Sequence, residues 1–400
     1  MMARQQFSKA KNIFTSILCL ILGLVAGFVF FVYSTLPGSY SIPSKINGSS
    51  TPAVADGIDV DEIKSEDLSI HFIELGNKYT GDCVLIKTGN TEILVDAGSK
   101  ASSINTIESY IDTYCTDNVL EYIIITHAHE DHYAGFVTPA NTESLFDYYS
   151  KDGRSIETVV TFAQTHKTTA NAMFKNFDRE LTEVKSTGTN VFTALNCWNN
   201  EIVNGVASQR TYSLENGISL EFLYQKFYEE SNKDETSTEN NFSVCFQIVQ
   251  GTKKYLFTGD LEKDGEQSLV EENSLGPVEL YKAGHHGSKT SSSEALLNVI
   301  QPKIVCVCCC AGSSEYTKKN ENQFPTQEFV DRVSIYTKQI FVTTLCIDYN
   351  AGTFTSFNGN IVVHSSGTNN STVSCSNNTT ILKETDWFKQ NRTLPENAIA

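Results

Sequence analysis

The chain predicts an α/β fold, a two-sheet sandwich with helices outside and one transmembrane helix in front of it. Three observations carry this expectation. Apolar runs of strand length come in two series separated by the more polar region 140–240. Stretches of helix length interleave with them, as layered α/β packing requires. Several of the strand-like runs end in Asp or His, so the chain delivers polar side chains where strands stop.

The elements follow in order. Ile13–Tyr33 is an uncharged run of 21 residues rich in Leu, Ile, Val and Phe, long enough to cross a bilayer as a helix. Arg4, Lys9 and Lys11 precede it, which puts the N-terminus in the cytoplasm and the remainder outside. A cleaved signal peptide has a shorter apolar core and a small-x-small cleavage site, and this run shows neither. Residues 1–36 therefore read as cytoplasmic N-terminus and uncleaved anchor of a single-pass cell-membrane protein. Residues 37–66, rich in Ser, Gly, Pro and Asp, read as a linker. The domain spans 67–366, with strands expected at Leu68–Leu75, Cys83–Thr88 and Ile93–Val95 and a helix near Ser103–Tyr114. The polar middle reads as irregular, with helix-like pieces such as Thr168–Phe174 and a charged loop, Glu229–Asn240. Strands resume at Phe242–Val249, Lys254–Phe257, Val278–Lys282, 304–310 and 340–348, with helices near Ser292–Val299 and Gln327–Val333. Residues 367–400 turn to Ser, Thr and Asn and read as a loosely ordered tail.

The formal charge is −17, and beyond the anchor 27 basic residues face 47 acidic ones, a formal −20. Such a surface repels polyanions at long range and disfavours tight, sequence-independent nucleic-acid binding. Eleven cysteines in an exported domain suggest disulfides. Four of them, Cys306, Cys308, Cys309 and Cys310, lie inside an apolar strand-like run and behave as small hydrophobes.

The chemistry concentrates in residues 127–132, His-Ala-His-Glu-Asp-His, which follow the apolar run Tyr122-Ile123-Ile124-Ile125-Thr126. In extended backbone, residues two apart project the same way, so His127 and His129 can grip one metal ion, and Asp131 and His132 a second. Imidazole and carboxylate suit Zn, with Mn or Fe as alternatives, and paired divalent ions favour hydrolysis. Five of the eight histidines lie here or in the pair His285-His286. Three further strand-like runs end on the same chemistry: Ile93-Leu94-Val95-Asp96-Ala97-Gly98, Lys254-Tyr255-Leu256-Phe257-Thr258-Gly259-Asp260 and Tyr281-Lys282-Ala283-Gly284-His285-His286-Gly287-Ser288.

The ordered motifs D-A-G, H-x-H-x-D-H, T-G-D and H-H-G-S resemble the metallo-β-lactamase superfamily over about residues 67–365. Ile70-His71-Phe72-Ile73-Glu74-Leu75-Gly76, Gly81-Asp82 and the run Gly284–Ser293 resemble most the hydrolase domain of ComEC-type competence proteins. Phosphorylcholine esterases of the same superfamily share a similar layout. The resemblance implies an αββα sandwich holding two divalent metal ions. It puts His127 and His129 on the first ion, Asp131, His132 and His286 on the second, and Asp260 between them. His285 would contact the substrate's oxyanion, although the pair His285/His286 leaves the ligand open by sequence. Asp96 would orient ligands. The superfamily often supplies another first-metal histidine before T-G-D. Here Asn241 stands in that region, and Asn241 and Ser288 are expected as outer or substrate contacts. His166 reads as a loop residue.

The implied mechanism is hydrolysis by a metal-bound hydroxide, with Asp131 orienting the water and His285 donating to the oxyanion or leaving group. A small extracellular phosphoester or other ester is the expected substrate. A ComEC-like DNA-uptake nuclease, a lactone hydrolase and a non-catalytic tethered module are the rivals.

Overall fold

The computed structural model describes residues 68–137, 143–151 and 153–399. The expected anchor and linker lie outside these residues. Among the described residues no helix is long and apolar enough to cross a membrane.

The first sheet begins with an antiparallel set, β1 (Leu68–Phe72), β2 (Val84–Thr88) and β3 (Thr91–Val95), and continues through parallel strands β4 (Val119–Ile125), β5 (Ser155–Thr161) and β6 (Asn190–Thr193). A short hairpin follows, β7 (Ile202–Val203) and β8 (Val206–Ala207). The second sheet opens antiparallel with β9 (Thr211–Ser213), β10 (Ile218–Leu223), β11 (Cys245–Gln250) and β12 (Lys253–Phe257). Parallel strands β13 (Leu280–Lys282), β14 (Ile304–Ala311) and β15 (Gln339–Asp348) extend it, and β16 (Thr353–Ser356) closes its edge. The chain then returns to the first sheet, where β17 (Ile361–Ser365) pairs with β1 and β18 (Thr372–Cys375) pairs with β17. Among the described residues each main sheet thus has eight strands.

Strand alternation sorts the core into layers. On β14, Cys306 and Cys308 join the large cluster between the sheets with Tyr255, Phe257 and Phe246. Val305, Val307 and Cys309 point the other way, into the cluster made with helices Lys263–Glu272, Glu294–Ile300 and Gln327–Val333. The cysteines of this run are buried packing groups, and the ten described cysteines are all free thiols. Helix Ile104–Tyr114 buries Ile104, Ile107, Ile111 and Tyr114, the spacing of one helical face, over the first sheet.

Two expectations fail. The polar middle is not irregular: β5, β6 and β10 run through it, and helix Ala172–Ser186 starts at the Asn171 cap rather than at Thr168. That helix buries only Phe177, Glu180 and Val184, so its apolar stripe is too narrow to read. The segment after residue 366 is not a loose tail. It adds β18 and helix Asp386–Asn391, and it buries Leu382 and Phe388 in the second cluster. Its Asn and Thr residues bond backbone instead of merely solvating the chain. Asn377 and Asn378 both donate to the Phe357 carbonyl, at 2.7 and 2.9 Å, and Thr385 caps the last helix.

The parallel strands β3, β4, β12, β13 and β14 all end toward one rim. Open α/β sheets place ligand sites outside such carboxyl ends, and this rim carries every polar motif described above.

Candidate metal centre

Backbone hydrogen bonds stitch three loops into one platform. Gly98 N donates to Asp82 O (2.9 Å), Asp82 N to Asp131 O (3.0 Å) and Ala97 N to His132 O (2.8 Å). A Cβ on Gly98 would lie 1.5 Å from Asp131 O, so only glycine lets the Asp96 loop approach the histidine loop. Asp96 itself adopts φ 57°, a left-handed conformation uncommon for a non-glycine residue.

Asp96 works from behind. Its carboxylate accepts from Thr126 N and Thr126 Oγ1, both at 2.7 Å, and lies 2.7 Å from His132 Nδ1. A proton on His132 Nδ1 is favoured by this carboxylate, and Nε2 is turned to the interior. His286 is held the same way. Its Nδ1 lies 2.9 Å from Cys308 O and 3.1 Å from Asp82 Oδ1.

The free edges of these rings converge on Asp260. His132 Nε2 and His286 Nε2 stand 3.2 and 3.3 Å from Asp260 Oδ2, and His286 Nε2 stands 3.2 Å from Asp131 Oδ2. In the other half His127 Nε2 lies 3.0 Å from His129 Nδ1 and 3.9 Å from Asp260 Oδ2. Ligand atoms around a tetrahedral zinc ion stand about 3.3 Å apart, given bonds of roughly 2.0–2.1 Å. His132 Nε2, His286 Nε2 and Asp260 Oδ1 complete no hydrogen bond with proper geometry among the described residues, although all three are buried. Buried polar atoms left in that state are costly unless a cation satisfies them. The residues fit a metal ion.

Charge agrees with geometry. Burial alone would raise the Asp260 carboxyl, but His132, His286 and His285 outweigh it and hold it well below the usual carboxylate range. Burial pulls the other way on His132 and His286, where Asp260 with Asp96 or Asp82 holds both imidazoles well above their ordinary value. His127, with less compensation, is driven well below it by burial and by His132.

Asp82 lies near enough to His132, Asp260 and His286 to count with them as a ligand set. It faces the Nδ1 edge of His286, however, and pairs with the buried ammonium of Lys282, so it supports the rings from behind. Lys282 also stands 3.7 Å from Asp260 Oδ1 and 3.4 Å from Gly259 O. It is 3% exposed.

The H-H-G turn separates its two histidines. His285 and His286 both take positive φ, 46° and 54°, strain of a kind that clusters at functional sites. His286 is buried. His285 stays partly exposed, with Nδ1 2.9 Å from Thr290 Oγ1 and Nε2 4.0 Å from Asp260 Oδ2. Ser288 does not reach the centre; its hydroxyl lies 3.2 Å from Thr290 Oγ1 and so acts on His285 at one remove. Asn241 is not brought to the metal ligands. Its amide donates to Thr236 Oγ1 (2.9 Å) and accepts from Glu262 N (3.1 Å), while its neighbour Asn240 approaches His285 Nδ1 at 3.4 Å. His166 is exposed and leans on Glu239 and Phe242.

A cavity of about 540 Å³ opens over this floor, with His129, Asp131, Asp260 and His285 below and Lys100, Lys167 and Tyr316 at its rim. A second cavity of about 620 Å³, beside Arg154 and Thr189, lies at the opposite ends of β5 and β6 and contains none of these groups.

A sequence model of the metallo-beta-lactamase superfamily matches residues 76–138 and 234–311, the two stretches that build the centre. Over these two stretches the chain is similar to the metallo-beta-lactamase superfamily. It is also similar to ComEC-type competence proteins. It is 35% identical over 71 residues to ComE operon protein 3 of Bacillus subtilis, covering 18% of this chain and 9% of that protein. It is 33% identical over 130 residues to competence protein ComA of Neisseria gonorrhoeae, covering 32% of this chain and 17% of the relative. The matched stretches thus span less than a fifth of these relatives' length. Among solved structures, the metallo-beta-lactamase fold protein YhfI from Bacillus subtilis overlays 75% of this chain and all of its own, at 10% identity and a TM-score of 0.39.

Proposed function

We propose that this protein is a membrane-anchored, extracytoplasmic phosphodiesterase that depends on two divalent metal ions and acts on small phosphoesters. The observation that carries this reading is the convergence of His127, His132, His285 and His286 nitrogens within 4.0 Å of one carboxylate oxygen, Asp260 Oδ2. Asp131, His132, His286 and Asp260 would hold one ion, and His127, His129 and Asp260 the other. When bound, such ions make water a nucleophile near neutral pH and stabilise charge on the attacked group.

The chain's own residues supply the rest. Ser288 and Thr290 form a hydroxyl chain ending at His285 Nδ1. If Thr290 donates there, the His285 proton sits on Nε2, aimed at the cavity, where it can be given to an oxyanion or leaving group. Asp131 orients the attacking water. The small-substrate preference rests on cavity size and charge: Lys282 is engaged in the interior, which removes one cation from any polyanion track, and the exported part carries −20.

The experiment is a matched comparison on the full-length detergent-solubilised chain. The small phosphodiesters bis-p-nitrophenyl phosphate and p-nitrophenyl-phosphorylcholine should turn over faster than lactones or single-stranded DNA, under equal metal and salt, with stoichiometric bound metal. Manganese-dependent degradation of single-stranded DNA that exceeds small-ester turnover and disappears in His129→Ala would instead make the chain a ComEC-like nuclease. A chain without bound metal would leave a tethered binding module.

The anchor rests on the uncharged Ile13–Tyr33 run behind Arg4, Lys9 and Lys11. Protease added to intact cells is expected to remove the domain. Complete protection would reverse the topology, and release into the medium would mean cleavage.

A further inference from the structure

After β14 the chain leaves the sheet in a loop, residues 312–325, whose base is closed by Gly312 N donating to Phe324 O at 2.8 Å. None of its residues belongs to a metal-binding motif, yet it lies on the centre. Tyr316 reaches back across 185 positions and donates its hydroxyl to Asp131 Oδ2 at 3.0 Å. That oxygen is the one His286 Nε2 also faces. The Tyr316 ring packs on Phe324, with centroids 5.5 Å apart, and Phe324 packs on both His285 and His286 at 5.8 Å. Pro325 meets the H-H-G turn directly, since a Cβ on Gly287 would come within 2.9 Å of its Cβ.

The loop does not hold this position alone. The C-terminal helix braces it through Arg392, which is 4% exposed. The guanidinium donates to Pro325 O (2.9 Å), Gln323 O (2.7 Å) and Asn320 Oδ1 (3.3 Å), and its carbon sits 4.8 Å from the Trp387 ring centre. Trp387 in turn presses on the loop base, where a side chain on Gly312 would collide with it at 2.6 Å. A planar fork with several fixed donors locks three loop acceptors together in a way that a lysine cannot.

We propose that Tyr316 is a positioning residue for Asp131, and that the C-terminal segment, through Arg392, keeps Tyr316 in place. The inference rests on reading Asp131 as a ligand of the second ion. Hydrogen bonds from outside a ligand set its rotamer and its basicity, and their loss typically lowers metal affinity about 10- to 100-fold. Tyr316 is 58% exposed on the open wall of the cavity, so substrate meets it on entering.

The test uses the metal-stripped full-length chain titrated with Zn²⁺, resolving the two binding steps. Tyr316→Phe should weaken one step about tenfold and leave the other unchanged. Arg392→Lys should weaken the same step, and the double variant should be no weaker than Tyr316→Phe, because both act through one contact. The kinetic signature is a fall in kcat on bis-p-nitrophenyl phosphate at subsaturating metal that excess metal restores. Wild-type affinity at both steps in Tyr316→Phe would overturn the proposal while leaving the metal centre intact. Multiplying effects in the double variant would sever Arg392 from Tyr316. A wild-type chain that takes up no metal would overturn the reading of the centre as well. Should Arg392→Lys fail to fold, Asn320→Ala removes one side of the fork at an exposed position, and the same coupling to Tyr316→Phe is expected.

Discussion

Asp260→Ala should strip both metal ions from the protein, whereas His127→Ala or His129→Ala should strip one. Asp260 Oδ2 is the atom that both halves of the centre share, lying 3.2 and 3.3 Å from His132 and His286 and 3.9 Å from His127. Removing a ligand confined to one half leaves the other half its own donors. Removing Asp260 also takes away the largest opposing charge from His132 and His286, two imidazoles that burial otherwise drives toward neutrality. Turnover of bis-p-nitrophenyl phosphate should fall by about 10³-fold or more, since stabilisation of transition-state charge is lost with the ions. Metal per chain by elemental analysis is the decisive number. An Asp260→Ala protein that is folded and carries as much metal as wild type would remove Asp260 from the shared position.

Lys282→Met should strongly destabilise the fold although Lys282 is not among the ligands. Lys282 and Asp82 are each buried, and Lys282 also faces Asp260. Deleting one partner of such a pair leaves an uncompensated buried charge, which costs about 3–5 kcal/mol. Burial raises the Asp82 carboxyl while Lys282, His286 and His132 bring it below its ordinary value, so without Lys282 the carboxylate loses the largest of these counterweights. Urea unfolding of the metal-stripped chain measures the cost. The double change Lys282→Met with Asp82→Asn should recover a large part of it, because an amide is far cheaper to bury than an unpaired carboxylate. A metal-stripped Lys282→Met chain that unfolds within about 1 kcal/mol of wild type would show that the pair contributes little.

The legible part of the fold is the part whose strands are buried on both faces. Tyr122–Ile125 and Ile304–Cys310 are continuous apolar runs, and both are central parallel strands. Ser155–Thr161 and Ile218–Leu223 alternate polar with apolar residues inside a polar region and were not apparent as strands. Ile361–Ser365 lies next to a stretch rich in Ser, Thr and Asn, and nothing local announces that it pairs with β1 almost 300 residues earlier.

By itself the sequence determined the chemistry of this protein: three histidines and an aspartate after an apolar strand, and acids or histidines at the ends of three more. Residue type and strand-end position are local properties, and they suffice to name a metal-binding, hydrolase-like centre. Tertiary structure alone decided which side chains face inward. The left-handed turn at His285 and His286 buries one ring and leaves the other at the cavity. Asp82 and Lys282 become interior partners only because separate loops meet. Tyr316 reaches Asp131, and Arg392 the loop that carries it, through contacts between residues 185 and 67 positions apart. Such contacts depend on the mutual placement of two sheets and a returning C-terminal segment, and no local pattern of residues encodes that placement.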